Sequence, residues 1–159
     1  MIRPGPADTG PALRRAVLAL AGLSIAGIAI ELVIERHWGA AARYIPWLAL
    51  LVSGVALVRL AGHPTPRTVR DVRMIAIGVL CAAAVGVALH INENYSAGPL
   101  DQRYSAIWES MSEPERWWAA FTKSVGPAPT FAPAALAEVA LLLLIGTIGH
   151  PARHAPARA

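Results

Sequence analysis

The chain is poor in what most soluble folds are built from. Only 15% of its 159 residues are charged and 6% aromatic, whereas 55% are hydrophobic and the mean hydropathy is +0.48. A soluble domain carries about 25% charged residues, so the composition argues against an ordinary water-soluble fold. One cysteine, Cys81, leaves no internal disulfide framework and no multi-cysteine zinc or iron–sulfur site. Lysine is nearly absent: the basic residues are 13 Arg and Lys123. No glycine-rich phosphate loop, nucleophile elbow or zinc-protease motif occurs, which removes support for the commonest soluble enzyme classes.

What the chain does have is apolar length. Four runs, residues 16–34, 44–62, 74–91 and 131–149, are 18 or 19 residues long, close to the roughly 20 that cross about 30 Å of hydrocarbon. Backbone amides in lipid must bond internally, so the runs read as helices and the fold class as all-α, a four-helix transmembrane bundle. The first run exceeds the apolar core of a secretory signal, and Glu35-Arg36-His37-Trp38 follows it in place of a cleavage signature. It therefore reads as a permanent helix. Pro46 and Pro133 sit near the starts of the second and fourth runs, and Gly62-His63-Pro64 and Gly149-His150-Pro151 end them. The proline-to-histidine spacing is 17 in both. Together with a weaker match of Arg15 to Arg73 and Glu35 to Glu93, this reads as two similar helical hairpins, chance recurrence of Gly and Pro at helix ends being the alternative. The organisation is a tail over 1–15, a membrane domain over 16–149 with an outer insert at 92–130, and a tail over 150–159.

A sequence pI near 10.0 could suggest a nucleic-acid partner. The arginines, however, lie at the edges of the runs and form no basic patch interleaved with aromatics, so no such partner is expected. One side would hold Arg3, Arg14, Arg15, Arg59, Arg67, Arg70, Arg73, Arg153 and Arg158 against Asp8 and Asp71 alone. By the positive-inside rule that side, with both termini, is cytoplasmic. All ten aromatic residues fall between Trp38 and Trp47 or between Tyr95 and Phe131, on the opposite side.

The outer insert carries two amphipathic patterns. Tyr104, Ile107, Trp108 and Met111 fall at helical spacing, and Ser112-Glu113-Pro114-Glu115 reads as a capping box opening a second helix with Trp117, Trp118 and Phe121 on one side. Two short interfacial helices are expected. They either cover the bundle or offer Trp108, Trp117, Trp118 and Phe121 to another membrane protein or a second copy of the chain.

Ionisable groups inside spans are costly and mark candidate sites. Helical rise puts Glu31 about 24 Å above Arg15, His90 about 26 Å above Arg73, and Glu138 about 22 Å up. All three fall in one layer, with Glu35, His37, Asn92 and Glu93 around its rim. Two carboxylates and an imidazole at one level could bind a divalent metal ion or pass protons. They could take an organic ligand or lipid headgroup, or merely fix helix register by bonding to one another and to Ser24. Ser24 and Gly27 line up with Glu31, and Gly78, Ala82 and Gly86 lead to His90, so both polar residues are expected to face neighbouring helices. Haem is disfavoured, because His37 lies beyond the hydrocarbon edge from His90. His63, His150 and nearby His154 read first as helix-terminus residues, with metal or anionic-lipid contact as the alternative.

Glu31 late in the first span, Ile45-Pro46 opening the second, His90-Ile91-Asn92-Glu93 closing the third, and Ala132-Pro133 followed by the leucine run and His150-Pro151 form a further pattern. It resembles a group of small four-span bacterial integral membrane proteins with no established activity. The resemblance covers most of the membrane portion; it implies the four-span fold and carries over no catalytic role. The Ala- and Arg-rich composition suits a GC-rich bacterial genome and hence the bacterial cytoplasmic membrane. Two non-enzymatic functions are expected from the residues: ion, proton or metal handling by Glu31, His90 and Glu138, or an accessory role in a membrane complex through the aromatic insert. An enzyme would need a substrate-sized cavity near His90.

Overall fold

A computed structural model describes residues 6–151, with side chains from residue 10 onward. The readings attached to Arg3, Arg153, His154 and Arg158, and to the side chain of Asp8, lie outside the described residues. Five α-helices follow one another: α1 (Pro6–Ile34), α2 (Ile45–Gly62), α3 (Pro66–Ala97), α4 (Glu113–Phe121) and α5 (Ala134–Thr147). Short 3-10 turns occupy Ala41–Tyr44, Gly98–Leu100 and Trp108–Ser110, and no strand occurs among the described residues.

Three helical stretches, Gly10–Ile34, Ala41–Gly62 and Pro66–Leu100, are long and apolar enough to cross a membrane. Their ends follow local chemistry. Pro46 stands in the first turn of α2, where its missing N–H costs nothing. At the other end His63 N still donates to Arg59 O at 3.0 Å before Pro64 stops the helix. α3 starts immediately: Thr65 Oγ1 accepts from Thr68 N at 3.1 Å, a threonine cap with Pro66 as the first helical residue. At 32 residues α3 is about 48 Å long, well beyond the hydrocarbon thickness, so its polar final turns continue past the apolar run.

The fourth run departs from expectation. α5 has 14 residues, about 21 Å, rather than the whole of 131–149. At its start Ala132 N bonds Pro129 O and Ala134 N bonds Phe131 O, so residues 131–133 form turns, and Pro133 has no N–H with which to extend the helix backwards. At its end Arg14 donates Nε to Gly146 O and Nη2 to Ile148 O and Gly149 O, at 3.1, 3.3 and 3.2 Å. Those carbonyls are satisfied by a side chain, and the backbone leaves through Gly149 at φ +58°. The two Gly-His-Pro sequences are thus not equivalent locally. Gly62 is the last residue of α2, whereas Gly149 is a left-handed exit beyond α5.

Among the described residues, 6–81 with 135–151 form one compact unit and 82–134 another. In the first, α1 packs on α2, and the most buried positions are mainly small or β-branched: Ala21, Ser53, Ala56, Val72, Ala76, Val139 and Ala140. Small residues let helix backbones approach closely in lipid. The exposed positions carry the bulk, with Leu23, Ile34 and Val58 each at least 70% exposed. That inversion suits a lipid-facing exterior, since a soluble helix would place its polar face outward. The expected ladder of small residues holds only at one end. A Cβ on Gly86 would meet Pro133 Cβ at 2.9 Å, whereas Gly78 and Gly27 have nothing within 4 Å.

Candidate functional site

Glu31, Glu138 and His90 each have different immediate partners. Glu31 is exposed on α1, not turned toward a helix neighbour as its alignment with Ser24 and Gly27 suggested. Glu138 on α5 bonds Ser24, whose Oγ donates to Glu138 Oε1 at 3.0 Å. Ser24 lies seven residues before Glu31, so this carboxylate sits about 10 Å, or two turns, along α1 from Glu31. The shared level inferred from residue counting therefore does not hold for the two glutamates. The register-fixing bond of Glu138 to Ser24 is present instead. His90 is half-buried with Nδ1 2.8 Å from Pro129 O, and a carbonyl partner requires the proton to be on Nδ1. Among the rim residues Glu35 and Glu93 are exposed, and the carbonyl of half-buried His37 accepts from Trp47 Nε1 at 2.9 Å. Among the described residues no group of three or more His, Cys, Asp or Glu could hold a metal ion.

The insert over 92–130 is the more highly built region. Its centre is Asn94, on the last turns of α3 and fully buried. Asn94 Nδ2 donates to Ala128 O at 2.9 Å and to Ala120 O and Thr130 Oγ1 at 3.2 Å, while Ala128 N donates to Asn94 Oδ1 at 2.8 Å. One amide thereby ties α3 to the end of α4 and to the segment that leads into α5. Around it pack Trp108, Ala119, Ala120 and Val125, with Ile91, Tyr95, Tyr104 and Met111 partly buried against them. Tyr95 meets Trp108 edge-on at 5.5 Å, stacks on Trp117 at 4.4 Å and donates its hydroxyl to Glu113 Oε2 at 2.9 Å.

The expected capping box forms: Glu115 Oε2 accepts from Ser112 N and Ser112 Oγ, both at 2.8 Å, and α4 runs from Glu113 to Phe121. The Ser112 backbone N–H first, and then its hydroxyl, hold the Glu115 carboxyl below the usual carboxylate range. The other expected helix, through Tyr104 and Met111, is instead a chain of turns ending in the Trp108–Ser110 3-10 turn. Asp101 is the reason. Its carboxylate accepts from Arg103 N and Nε and, at 3.4 Å, from Gly126 N, while Arg103 Nη2 reaches Ser124 O at 2.6 Å. The loop is fastened at its start, so Tyr104 N and Ser105 N both return to Asp101 O. The Arg103 guanidinium, followed by its backbone N–H, lowers the Asp101 pKa.

Packing sorts the four candidate partner residues. Trp108 is 3% exposed and belongs to the insert's core, not its surface. Trp117, Trp118 and Phe121 are exposed, and Phe131 joins them: Trp118 lies 5.7 Å from Phe121, which meets Phe131 edge-on at 5.3 Å. Asn94 and Asp101, which organise this surface, carry no motif that sequence spacing could have flagged. The only signal was a pair of small polar residues in an otherwise amphipathic segment.

At the arginine-rich end of the first unit Arg73 Nε donates to Thr147 Oγ1 at 2.8 Å and Arg59 pairs with Asp71 at 3.6 Å. His150 is buried there; burial first, then the Arg14 charge, push its pKa below the usual histidine value of 6.5. The folded chain thus holds fewer protons on His150 than the unfolded chain does, so stability falls as pH drops below about 6.5. Between pH 7.5 and 5.5 the melting temperature of detergent-solubilised protein should decline more steeply for the native chain than for His150→Gln. Parallel curves would remove His150 from the pH response. No protein-family model, no curated protein and no solved structure matches the chain.

Proposed function

We propose that this chain is a non-catalytic integral membrane protein, an accessory or scaffold subunit that engages a membrane partner through the aromatic face of its outer insert. The observation that carries this reading is the hydrogen-bonded framework beneath that face. A fully buried asparagine, a formed capping box and the Asp101 fastening hold Trp117, Trp118 and Phe121 in fixed positions on an exposed surface. Ion or proton handling by a shared cluster has less support, because Glu31 is exposed and Glu138 is bonded at the level of Ser24. In this reading the chain crosses the bacterial cytoplasmic membrane four times with both ends inside. α5, short for a span, is completed by its flanking turns and by local thinning of the bilayer.

The surface has an apolar centre with two acids beside it, Glu109 and Glu113, which share the single Arg116 at 3.8 and 3.4 Å and so leave a net negative edge. A complementary partner is another integral membrane protein that presents an apolar patch with a basic rim at the outer headgroup level. Aromatic anchors of this kind are each worth about 2 kcal/mol or more at an interface. Either Trp118→Ala or Phe121→Ala should therefore weaken the complex by about 30-fold, and the two together by up to about 1,000-fold, on native gels of mildly solubilised membranes. Glu31→Gln with Glu138→Gln should leave it intact. A complex indifferent to the aromatic pair, or one lost with the glutamates, overturns the proposal. Quenching of Trp118 emission by brominated lipid in native membranes would assign the surface to the bilayer instead.

A further inference from the structure

At the arginine-rich end of the first unit, an open groove of about 580 Å³ has Arg14, Arg15, Leu18, Leu57, Leu60 and His150 among its lining residues. We propose that this groove binds one anionic phospholipid, with its phosphate against Arg14 and Arg15 and an acyl chain along Leu57, over the buried Leu18 and Leu60.

The lining combines two chemistries. Guanidinium groups from the first turns of α1 stand at one part of the groove, and leucines from α1 and α2 supply apolar wall. That is the order of groups in an amphiphile. Arg14 is pre-positioned: its Nε and Nη2 are held by three carbonyls beyond and at the end of α5, while Nη1 has no acceptor among the described residues. A guanidinium fixed on one side and open on the other suits a phosphate oxygen, and little side-chain entropy remains to be lost on binding.

The charge at this end is unbalanced. Among described side chains Arg14, Arg15, Arg59, Arg67, Arg70 and Arg73 face a single carboxylate, Asp71, and that carboxylate is engaged by Arg59 at 3.6 Å and Arg70 at 3.9 Å. Among the described residues no anion is paired with Arg15, which is exposed at the groove. Basic pockets between membrane helices take anionic headgroups for this reason. The volume also decides between ligands. A bare phosphate would leave most of the groove empty, whereas a headgroup with the upper part of an acyl chain falls in the range of small-molecule sites.

The test uses the full chain in micelles supplied with equal amounts of dioleoylphosphatidylglycerol and dioleoylphosphatidylcholine, read by native mass spectrometry. One phosphatidylglycerol should be retained per chain. Arg15→Gln should weaken its retention about fivefold, the effect of one basic contact near the bilayer surface. Ala19→Trp, which fills the groove from its exposed edge, should abolish retention with helix content unchanged. Equal retention of the zwitterionic lipid, or phosphatidylglycerol retention unchanged in both variants, overturns the proposal. So does displacement by millimolar inorganic phosphate, which would assign the arginines to a free anion. Because Arg15→Gln alters only an exposed side chain, misfolding of the tryptophan variant would not obscure the result.

Discussion

Replacing Asn94 with alanine should melt the outer insert while the membrane helices keep their helix content. Asn94 is fully buried and makes three donor contacts and one acceptor contact at 2.8 to 3.2 Å. Each hydrogen bond contributes about 1 kcal/mol net, but a buried group left unpaired costs about 1–3 kcal/mol. Alanine would strand Ala128 O and Ala128 N and take the amide donor from Thr130 Oγ1, while Ala120 O keeps Lys123 N at 3.3 Å. Thr130 keeps only its long contact to Ala120 O, at 3.4 Å. A loss of about 3–5 kcal/mol follows, enough to unfold a unit of this size. Asn94→Asp should do no better, although it is isosteric. It keeps the acceptor facing Ala128 N but turns the donor into an oxygen aimed at two carbonyls. The expected readings are rapid protease nicking within 92–130, a red shift of tryptophan emission as Trp108 leaves its core, and unchanged far-ultraviolet helix signal from the spans. An aspartate variant as protease-resistant as the native chain would show that the amide donors do not hold the insert together.

That keystone was not legible in the sequence, and the reason is physical. Hydrophobic periodicity reports which face of an element is buried, so the long apolar runs announced α1, α2 and α3, and the Ser112 to Glu115 spacing announced α4. Both signals are local. Asn94 acts through groups 26 to 36 residues away, and nothing in its neighbourhood distinguishes it from Asn92, which is exposed. The same limit explains the glutamates. Counting along one helix does not say how far a second helix is slid along it, and the bond of Ser24 to Glu138 sets that offset between α1 and α5. The arginine that ends α5 comes from α1, another long-range contact that leaves no local trace.

The burial of Trp108 illustrates the same point, and it yields the second large effect. Helical spacing with Tyr104, Ile107 and Met111 put Trp108 on an apolar face but did not say which side of the insert that face would meet. The answer lies in Gly98, just beyond the end of α3: a Cβ built there overlaps the six-membered ring of the Trp108 indole. Glycine is required at this point by contact and not by conformation, since its φ is not in the left-handed region. Gly98→Ala should therefore cost about 3 kcal/mol, the upper range for overpacking, because the ring it strikes is rigid and enclosed by Tyr95 and Arg116. Hydrogen exchange of the insert amides in micelles would record the loss. A contact mechanism also predicts rescue. Trp108→Leu alone should cost about 2–3 kcal/mol through the cavity it leaves, yet in the double variant the alanine methyl would enter that cavity. The two changes should then be less costly together than their sum by about 1–2 kcal/mol. Gly126→Ala is the control without rescue: Gly126 sits at φ +83°, and its Cβ would strike the Asn94 backbone, so shrinking Trp108 gives it no space. Strict additivity between Gly98→Ala and Trp108→Leu would mean that the indole does not rest on Gly98, and the insert's core would have to be redrawn.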